Sequence, residues 1–376
     1  MRIALTGGGT GGHFFPVLAV ARELKNLVQN NLFEIPPGEG DTLELMFLGP
    51  ETPGEDLLVK EGIRHKKIMA GKIRRYASFQ NILDIFKLPG GLAQALWHLF
   101  WFMPNVVFSK GGFGSVPVVL AAWIYRIPIL IHESDSVPGL ANKFCAKFSK
   151  KIAISFPSAT IFFPSQKTAL GGNPVRRELL GGAKVDAQIV FPGFIGLKPT
   201  IFIIGGSQGA QTINRIIFEV LPKLLSQCEV IHQCGAENFE DSKKLFGQNL
   251  PQGYFLIPFL DETQMRAALG AADIVISRAG AGSIAEISAV RKPSVLIPLP
   301  SAAADHQNKN AREYASGGAA LVVEQMNLTP HLFAEQVLNL LSNPETLQKM
   351  SAAAAAFNPP DAGRKIAQEI LDIAKW

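Results

Sequence analysis

The chain has 376 residues, 47% hydrophobic and 18% charged, enough for two sizeable cores and against extended disorder. A net charge of +5 and a pI of about 9.0 suit an anionic ligand or membrane surface, and the absence of a dense Lys/Arg block argues against nucleic acid as a partner. Three cysteines without Cys-x-x-Cys spacing (Cys145, Cys228, Cys234) argue against a disulfide frame or a zinc site and fit a reducing cytosol.

Met1 to Leu5 enters a strand directly, without the charged-then-apolar layout of a signal peptide. A loop, Gly7-Gly8-Gly9-Thr10-Gly11-Gly12, follows. Val17, Ala21, Leu24 and Val28 then recur at helical spacing, with Pro16 expected in a tolerant first turn. Backbone N–H groups in such a loop, at a helix N-terminus, form a phosphate site. The loop satisfies G-x-G-x-x-G, the pattern of a dinucleotide cofactor, which also wants an acidic residue closing the second strand ~20 residues on. Here the strand Leu43 to Leu48 comes later and ends in Gly49-Pro50-Glu51, and there is no Walker lysine. His13, ending the loop, has three possible roles: general base, donor to a developing negative charge, or cap of the following helix. Asn30 to Gly40 reads as an inserted loop.

Lys72-Ile73-Arg74-Arg75-Tyr76 is basic and leads into Phe79, Ile82, Leu83 and Phe86 at helical spacing. This suits an anionic bilayer or a lipid acceptor. Further on, Leu92, Leu96, Leu99 and Met103 are expected to form a core stripe, with Trp97 and Trp101 on its flank. The apolar run Leu92 to Met103 is shorter than the ~20 residues a membrane span needs.

Two later segments match closely. Val107-Phe108-Ser109-Lys110-Gly111-Gly112-Phe113-Gly114-Ser115 overlays Val275-Ile276-Ser277-Arg278-Ala279-Gly280-Ala281-Gly282-Ser283. Each is strand, base, glycine loop, then helix, and each precedes another apolar run, Ile129 to Ile131 and Val295 to Ile297. The chain therefore reads as two α/β units of related design with parallel sheets. The boundary is expected near Gly171-Gly172-Asn173-Pro174, with apolar periodicity lost until residue 200. That makes residues 1–172 one domain and 173–357 the other, with a terminal amphipathic helix within 358–376 packing back on the first.

His132-Glu133 lies at the carboxyl end of a buried strand, where open sheets place ligands; a structural pairing is equally consistent. Thr200 to Ile204 is a strand, Gly205-Gly206-Ser207-Gln208-Gly209 a loop, and Ile213 to Leu225 a helix. Ser207 adds a hydroxyl suited to a diphosphate. Glu286, on a helix expected to begin after Gly282-Ser283, can accept both hydroxyls of a ribose or be a solvated helix acid. Asp305-His306-Gln307-Asn308 is a polar loop at the same edge. No Asp-x-Asp pair or recurring His spacing calls for a metal. Leaving-group charge then falls to helix N-termini, Ser207 and Arg176, for which a surface salt bridge is the alternative role.

Taken together, Gly8-Gly9-Thr10-Gly11-Gly12-His13, Lys110 to Ser115, His132-Glu133, Gly172-Asn173-Pro174-Val175-Arg176, Gly205 to Ala210 and Arg278-Ala279-Gly280-Ala281 with Glu286 resemble the peptidoglycan N-acetylglucosaminyltransferases of glycosyltransferase family 28. The resemblance spans nearly the whole chain. It implies an α/β GT-B fold, two Rossmann-like domains facing each other across a cleft. It implies inverting, metal- and cofactor-independent transfer of GlcNAc from UDP-GlcNAc to the C4 hydroxyl of MurNAc in undecaprenyl-linked lipid I. The product is lipid II, made at the cytoplasmic face of the cell membrane, with other cell-wall synthesis proteins as partners. The implied donor contacts are Thr10, Gly11, Gly12, Asp135, Arg176, Ser207, Leu260, Ala281, Gly282, Ser283, Ile284, Ala285, Glu286 and Gln307. Among these, Glu286 holds the ribose. The first domain would bind acceptor and membrane, with His13 as first candidate for the base and Glu133 as second. The family usually reads His-Glu-Gln-Asn where this chain has His132-Glu133-Ser134-Asp135. An ionised Asp135 accepts hydrogen bonds but cannot donate them. Alternatives are a UDP-GlcNAc 2-epimerase, an NAD-dependent oxidoreductase and a non-catalytic nucleotide-sugar sensor.

Overall fold

The computed structural model describes residues 1–35, 42–52, 54–71, 79–206, 209–247 and 249–375. They form two compact units, Met1–Arg176 with Asp361–Trp376, and Arg177–Pro360.

The first unit contains β1 (Arg2–Thr6), α1 (Gly11–Gln29), β2 (Glu44–Gly49), α2 (Glu55–Lys60), β3 (Arg64–Lys67), α3 (Phe79–Phe102) and β4 (Val106–Ser109). It continues with α4 (Val116–Ile124), β5 (Ile129–Glu133), α5 (Leu140–Cys145), β6 (Lys151–Ile154) and β7 (Thr168–Leu170). The sheet runs β3-β2-β1-β4-β5-β6-β7, and its pairs are parallel. Successive side chains of a strand point to opposite faces, so a sheet covered on both sides needs continuous apolar runs. In β1, Ile3 and Leu5 enter the core shared with α1 and the chain's last helix, while Ala4 enters the core with α3 and α4. That last helix, Ala362–Ala374, buries Ile366, Ile370, Leu371 and Ile373 against the same core as α1.

Two details differ from the sequence expectations, and others fall on residues that are not described. Pro16 lies in the second turn of α1, not the first, and leaves the Gly12 carbonyl without its usual i+4 donor. Part of the inserted loop (36–41) and the basic segment Lys72 to Tyr76 lie outside the described residues, as do the side chains of Phe79, Ile82, Leu83 and Phe86. In α3, Leu99 is buried and Leu92 and Leu96 pack half-buried against the same core as Ala95 and Phe102, as expected, but Met103 of the expected stripe does not join them. Gly91 lies on the packed side as well: a Cβ there would run into the Met69 backbone carbonyl and lie 3.2 Å from Pro117 of α4. Met103, past the helix end at φ +45°, is 67% exposed. Trp97, Phe100 and Trp101 face outward, with Trp97 and Trp101 at 62% and 66% exposure.

The second unit contains α6 (Lys184–Val190), β8 (Thr200–Ile204), α7 (Gln211–Leu225), β9 (Glu229–Gln233), α8 (Ala236–Lys244), β10 (Tyr254–Ile257) and α9 (Glu262–Ala271). After these come β11 (Ile274–Ser277), α10 (Ala281–Ala289), β12 (Ser294–Leu296), α11 (His306–Ser316), β13 (Ala320–Val322), α12 (Pro330–Leu341) and α13 (Pro344–Phe357). Its sheet, β10-β9-β8-β11-β12-β13, is also parallel. β11 sits beside β8 as β4 sits beside β1, so the matched segments 107–115 and 275–283 hold the same place in their units. The stretch expected to lack periodicity contains α6, which buries Ala187 and packs on α9. A buried polar chain ties α7 to two strands: His232 contacts Asn214 Oδ1 through Nε2 (3.1 Å) and the Tyr254 hydroxyl through Nδ1 (2.9 Å). Among the described residues, no helix is long and apolar enough to cross a membrane.

Candidate functional site

Strand order reverses between β1 and β4 in the first sheet and between β8 and β11 in the second. At such a point, connections leave the sheet on opposite faces and the carboxyl ends of the strands open into a crevice, where open parallel sheets bind ligands. All four glycine loops leave from these four strands.

In the first unit, loops 7–12 and 110–115 touch through bare backbone. Gly112 has φ +82°, and a Cβ on it would fall 2.9 Å from Gly8 Cα and 3.4 Å from His13 Nε2. Only glycine fits such an approach at positive φ. Thr10 and Gly12 are exposed and begin α1, whose first turn carries no acidic side chain, so its positive dipole end is unscreened. Thr10 Oγ1 lies 2.9 Å from His13 Nδ1. Burial, reinforced by the Lys110 charge, pushes the His13 imidazole down to about 4, so it is neutral at pH 7.

β5 delivers His132 and Glu133 to the same edge. His132 is buried, with Nε2 2.9 Å from the Gly172 carbonyl and 3.2 Å from Ser155 Oγ. Burial holds it well below its usual range, so it is a neutral structural link between β5 and the segment after β7. Both oxygens of Glu133 are engaged. Oε1 accepts from the Asp135 amide (2.9 Å), and Oε2 accepts from Gly139 N (3.2 Å) and Asn142 Nδ2 (3.0 Å). The carboxylate thus closes the turn 133–139. Burial first, then Asp135, raises its pKa. Asp135 is half-buried beyond it. Lys110, at the exit of β4, is 1% exposed, and among the described residues its Nζ has no hydrogen-bond partner. Arg176 is buried, not a surface ion pair: its guanidinium stacks 4.4 Å from the ring centre of Phe15.

In the second unit, Gly206 (φ +87°) and Gly209 (φ +75°) shape the loop after β8, and Gln233 Nε2 donates to the Gly206 carbonyl at 3.1 Å. Ser207 lies outside the described residues. Gly280 caps α10, which starts at Ala281, earlier than the sequence suggested; Ala281, Gly282 and Ser283 are therefore its first turn. A Cβ on Gly280 or Gly282 would meet nothing within 4 Å, so the helix end is open. Glu286, half-buried, lies one turn further along. Leu260 is buried just after β10, and Gln307 Oε1 accepts from the Leu299 amide at 3.0 Å, pinning the loop after β12. In that loop, Ala304 (φ 54°) and Asp305 (φ 57°) hold left-handed conformations without being glycine, strain of the kind found at binding loops. Arg278, equivalent in place to Lys110, donates from Nη1 to the Ile297 (3.1 Å) and Pro298 (3.3 Å) carbonyls.

The structure thus gathers Thr10, Gly11, Gly12, His13, Glu133 and Asp135 at the edge of the first sheet, and Leu260, Ala281 to Glu286 and Gln307 at the edge of the second. Sequence reasoning assigned no role to Lys110, Asn142 or Gln233. Lys110 stood in a recognised motif; the other two carried no local signal. Glu51, which closes β2 where a dinucleotide site needs its acid, is paired with Lys67 at 3.0 Å.

Two parallel sheets of this order, each with glycine loops at its switch point, are the GT-B fold, on which a large class of glycosyltransferases is built. The chain belongs to glycosyltransferase family 28: the family's N-terminal domain model matches residues 3–36 and 37–154, and its C-terminal domain model residues 200–366. A relative from Clostridium kluyveri, named UDP-N-acetylglucosamine--N-acetylmuramyl-(pentapeptide) pyrophosphoryl-undecaprenol N-acetylglucosamine transferase, is 38% identical over 94% of this chain and 95% of its own. A solved MurG from Acinetobacter baumannii is 28% identical, with a TM-score of 0.72 over 99% of both chains. A UDP-GlcNAc 2-epimerase from Neisseria meningitidis, covering 99% of this chain and 100% of its own at a TM-score of 0.69, is 15% identical and shares the fold alone.

Proposed function

We propose that this chain transfers N-acetylglucosamine from UDP-N-acetylglucosamine to the MurNAc C4 hydroxyl of an undecaprenyl-pyrophosphoryl MurNAc-pentapeptide, with inversion at the anomeric carbon. The observation that carries this reading is the open first turn of α10 at the second sheet's switch point, with Glu286 one turn further along. Backbone N–H groups there suit a diphosphate, and a carboxylate at that depth suits ribose hydroxyls. The name of the Clostridium kluyveri relative supports the same donor and acceptor.

On the second unit, the proposed donor contacts are Ser207, Leu260, Ala281, Gly282, Ser283, Ile284, Ala285, Glu286 and Gln307. On the first they are Thr10, Gly11, Gly12, Asp135 and Arg176. His13 is the proposed base. With Thr10 Oγ1 accepting from Nδ1–H, Nε2 keeps its lone pair. It takes the proton of the acceptor hydroxyl as that oxygen bonds to the anomeric carbon. The bond from that carbon to the diphosphate oxygen breaks, and UDP leaves with the electron pair. Glu133 serves as the brace of the 133–139 turn, since both its oxygens are taken.

We also propose that the first unit rests on the cytoplasmic face of the cell membrane through its outward aromatics. Trp97 and Trp101 stack edge-on with ring centres 5.7 Å apart, Phe100 lies 5.5 Å from Trp101, and Trp123 and Tyr125 are exposed nearby on the end of α4. An aromatic cluster of this kind suits a bilayer interface, and anionic lipid suits the net positive chain. The reaction is tested with radiolabelled UDP-GlcNAc and a lipid I analogue. Label in the lipid product is expected; the absence of transfer to any such lipid refutes the reading.

A further inference from the structure

The carboxyl end of β9 braces the glycine loop that follows β8. Gln233, the last residue of β9, is in register with Ile204, the last of β8, and is 1% exposed. Alternation along the strand puts Val230, His232 and Cys234 on the face covered by α7, and leaves Ile231 and Gln233 on the other. Gln233 Nε2 donates to the Gly206 carbonyl (3.1 Å), which also accepts from the Gly209 amide (2.9 Å). Among the described residues, the buried Gln233 Oε1 has no partner, so the bond to Gly206 is what orients this amide. The next residue of the strand exit completes the brace. Asn214 and Asn238 both donate from Nδ2 to the Cys234 carbonyl, at 2.9 and 3.0 Å. Gly209, at φ +75°, lies so close that a Cβ would run into that carbonyl and stand 2.7 Å from Asn238 Nδ2. Gly205 is equally confined, since a Cβ there would fall 2.8 Å from the Gly209 carbonyl carbon.

We infer that Gln233 is a positioning residue of the donor site: its buried amide holds the Gly206 carbonyl toward the protein, away from a diphosphate bound at the start of α7. The first turn of α7 carries no acidic side chain, so its positive dipole end is unscreened and suits an anion. A carbonyl oxygen turned toward that anion would repel it. Gly206, at φ +87°, has the backbone freedom to make such a turn. The Gly209 amide restrains the carbonyl from within the loop, and only Gln233 restrains it from a strand, whose position the sheet fixes. Gln233 is buried, so it acts on the donor through Gly206 and does not touch it. This inference rests on the proposed reading of the loop after β8 as the diphosphate side of the donor site.

The experiment measures binding of UDP and of uridine, by calorimetric titration, to wild type, Gln233→Met and Ile231→Val. Methionine keeps the length of the side chain and removes its amide; Ile231→Val loosens the same face of β9 without touching the loop. Gln233→Met is expected to weaken UDP by about tenfold, the scale of one hydrogen bond, and uridine by less than about twofold. The KM for UDP-GlcNAc is expected to rise by a similar factor, with a smaller change in kcat. Ile231→Val is expected to lower Tm and leave the ratio of the two affinities unchanged. Unaltered UDP binding in Gln233→Met overturns the inference, as does a loss shared equally by uridine. The same phosphate-selective loss in Ile231→Val also overturns it, since general loosening would then suffice. If Gln233→Met does not fold, Gln233→Glu, which keeps the shape and loses the N–H donors, is read in the same way; failure of both to fold assigns the amide to the unit as a whole and overturns the inference. If wild type binds UDP but transfers no GlcNAc to a lipid I analogue, the proposed reaction fails, while the binding comparison still reads the role of Gln233. If wild type binds no UDP, both fail.

Discussion

Thr10 Oγ1 and His13 Nδ1 lie 2.9 Å apart across the first turn of α1; when Nδ1–H donates to that hydroxyl, the ring's lone pair sits on Nε2. Nδ1 lies toward Gly8, and Nε2 lies on the Gly112 side of the ring. Removing His13 is expected to lower kcat by about 10²–10⁴-fold, the usual contribution of a general base. Thr10→Val is expected to cost less, since it loosens the ring without deleting it. Near-normal turnover of His13→Ala at saturating substrate excludes His13 as the base.

The pH profile follows from the same residue. A base works unprotonated, and His13 is held down to about 4 instead of 6.5. Accordingly, kcat/KM is expected to stay level as pH falls through 6.5, where a solvated histidine would switch off. A fall with a midpoint near 6.5, in enzyme that remains folded by circular dichroism, contradicts the assignment.

Gly112 separates close packing from backbone conformation. Gly112→Ala meets both φ +82° and a 2.9 Å approach to Gly8 Cα, whereas Gly62→Ala meets φ +61° with nothing within 4 Å. The Gly62 variant is expected to lose about 1–2 kcal/mol, and the Gly112 variant clearly more, along with activity. Urea unfolding of both, side by side, checks this; equal losses would mean that the loop contact is not tight.

Buried neutral histidines predict acid lability. His232 is pushed down to about 3 by burial. The unfolded chain takes up a proton below about 6.5 while the folded chain does not, so stability is lost as pH falls from 6.5 towards 3, by about 1.4 kcal/mol per unit for each such group. His132 shifts in the same direction. Urea midpoints between neutral and mildly acid pH should show this slope, and His232→Gln should flatten it. An unchanged slope in the variant would remove His232 from the account.

Trp97 and Trp101 are exposed, so changing both to Ala should leave Tm nearly unchanged. Sedimentation with vesicles containing anionic lipid is expected to show binding weakened by about tenfold or more. Undiminished binding would assign membrane contact to another surface.

Much of this molecule was legible along the chain. Glycine loops announce themselves because positive φ and backbone-to-backbone approach tolerate little else, and strand runs such as Ile201 to Ile204 are apolar throughout because both faces are covered. Other features were hidden for physical reasons. β3 is Arg-His-Lys-Lys, an edge strand whose residues are mostly exposed, so it carries no apolar alternation. In α3 the period carries one residue too far: Met103 is in step with Leu92, Leu96 and Leu99 but lies past the helix end in a left-handed conformation and is exposed. Asn142 looks like any helix asparagine until β5 sets Glu133 beside it.

The sequence alone determined the order of elements, the paired glycine loops and the family. These are local patterns, or motifs whose spacing survives without knowledge of contacts. Tertiary structure alone decided the burial of Lys110. β4 follows β1 by about a hundred residues yet pairs directly with it, and β5 pairs on its other side. That arrangement buries an ammonium at the exit of a central strand. Such an environment is assembled from residues distant in sequence, so no stretch of the chain records it.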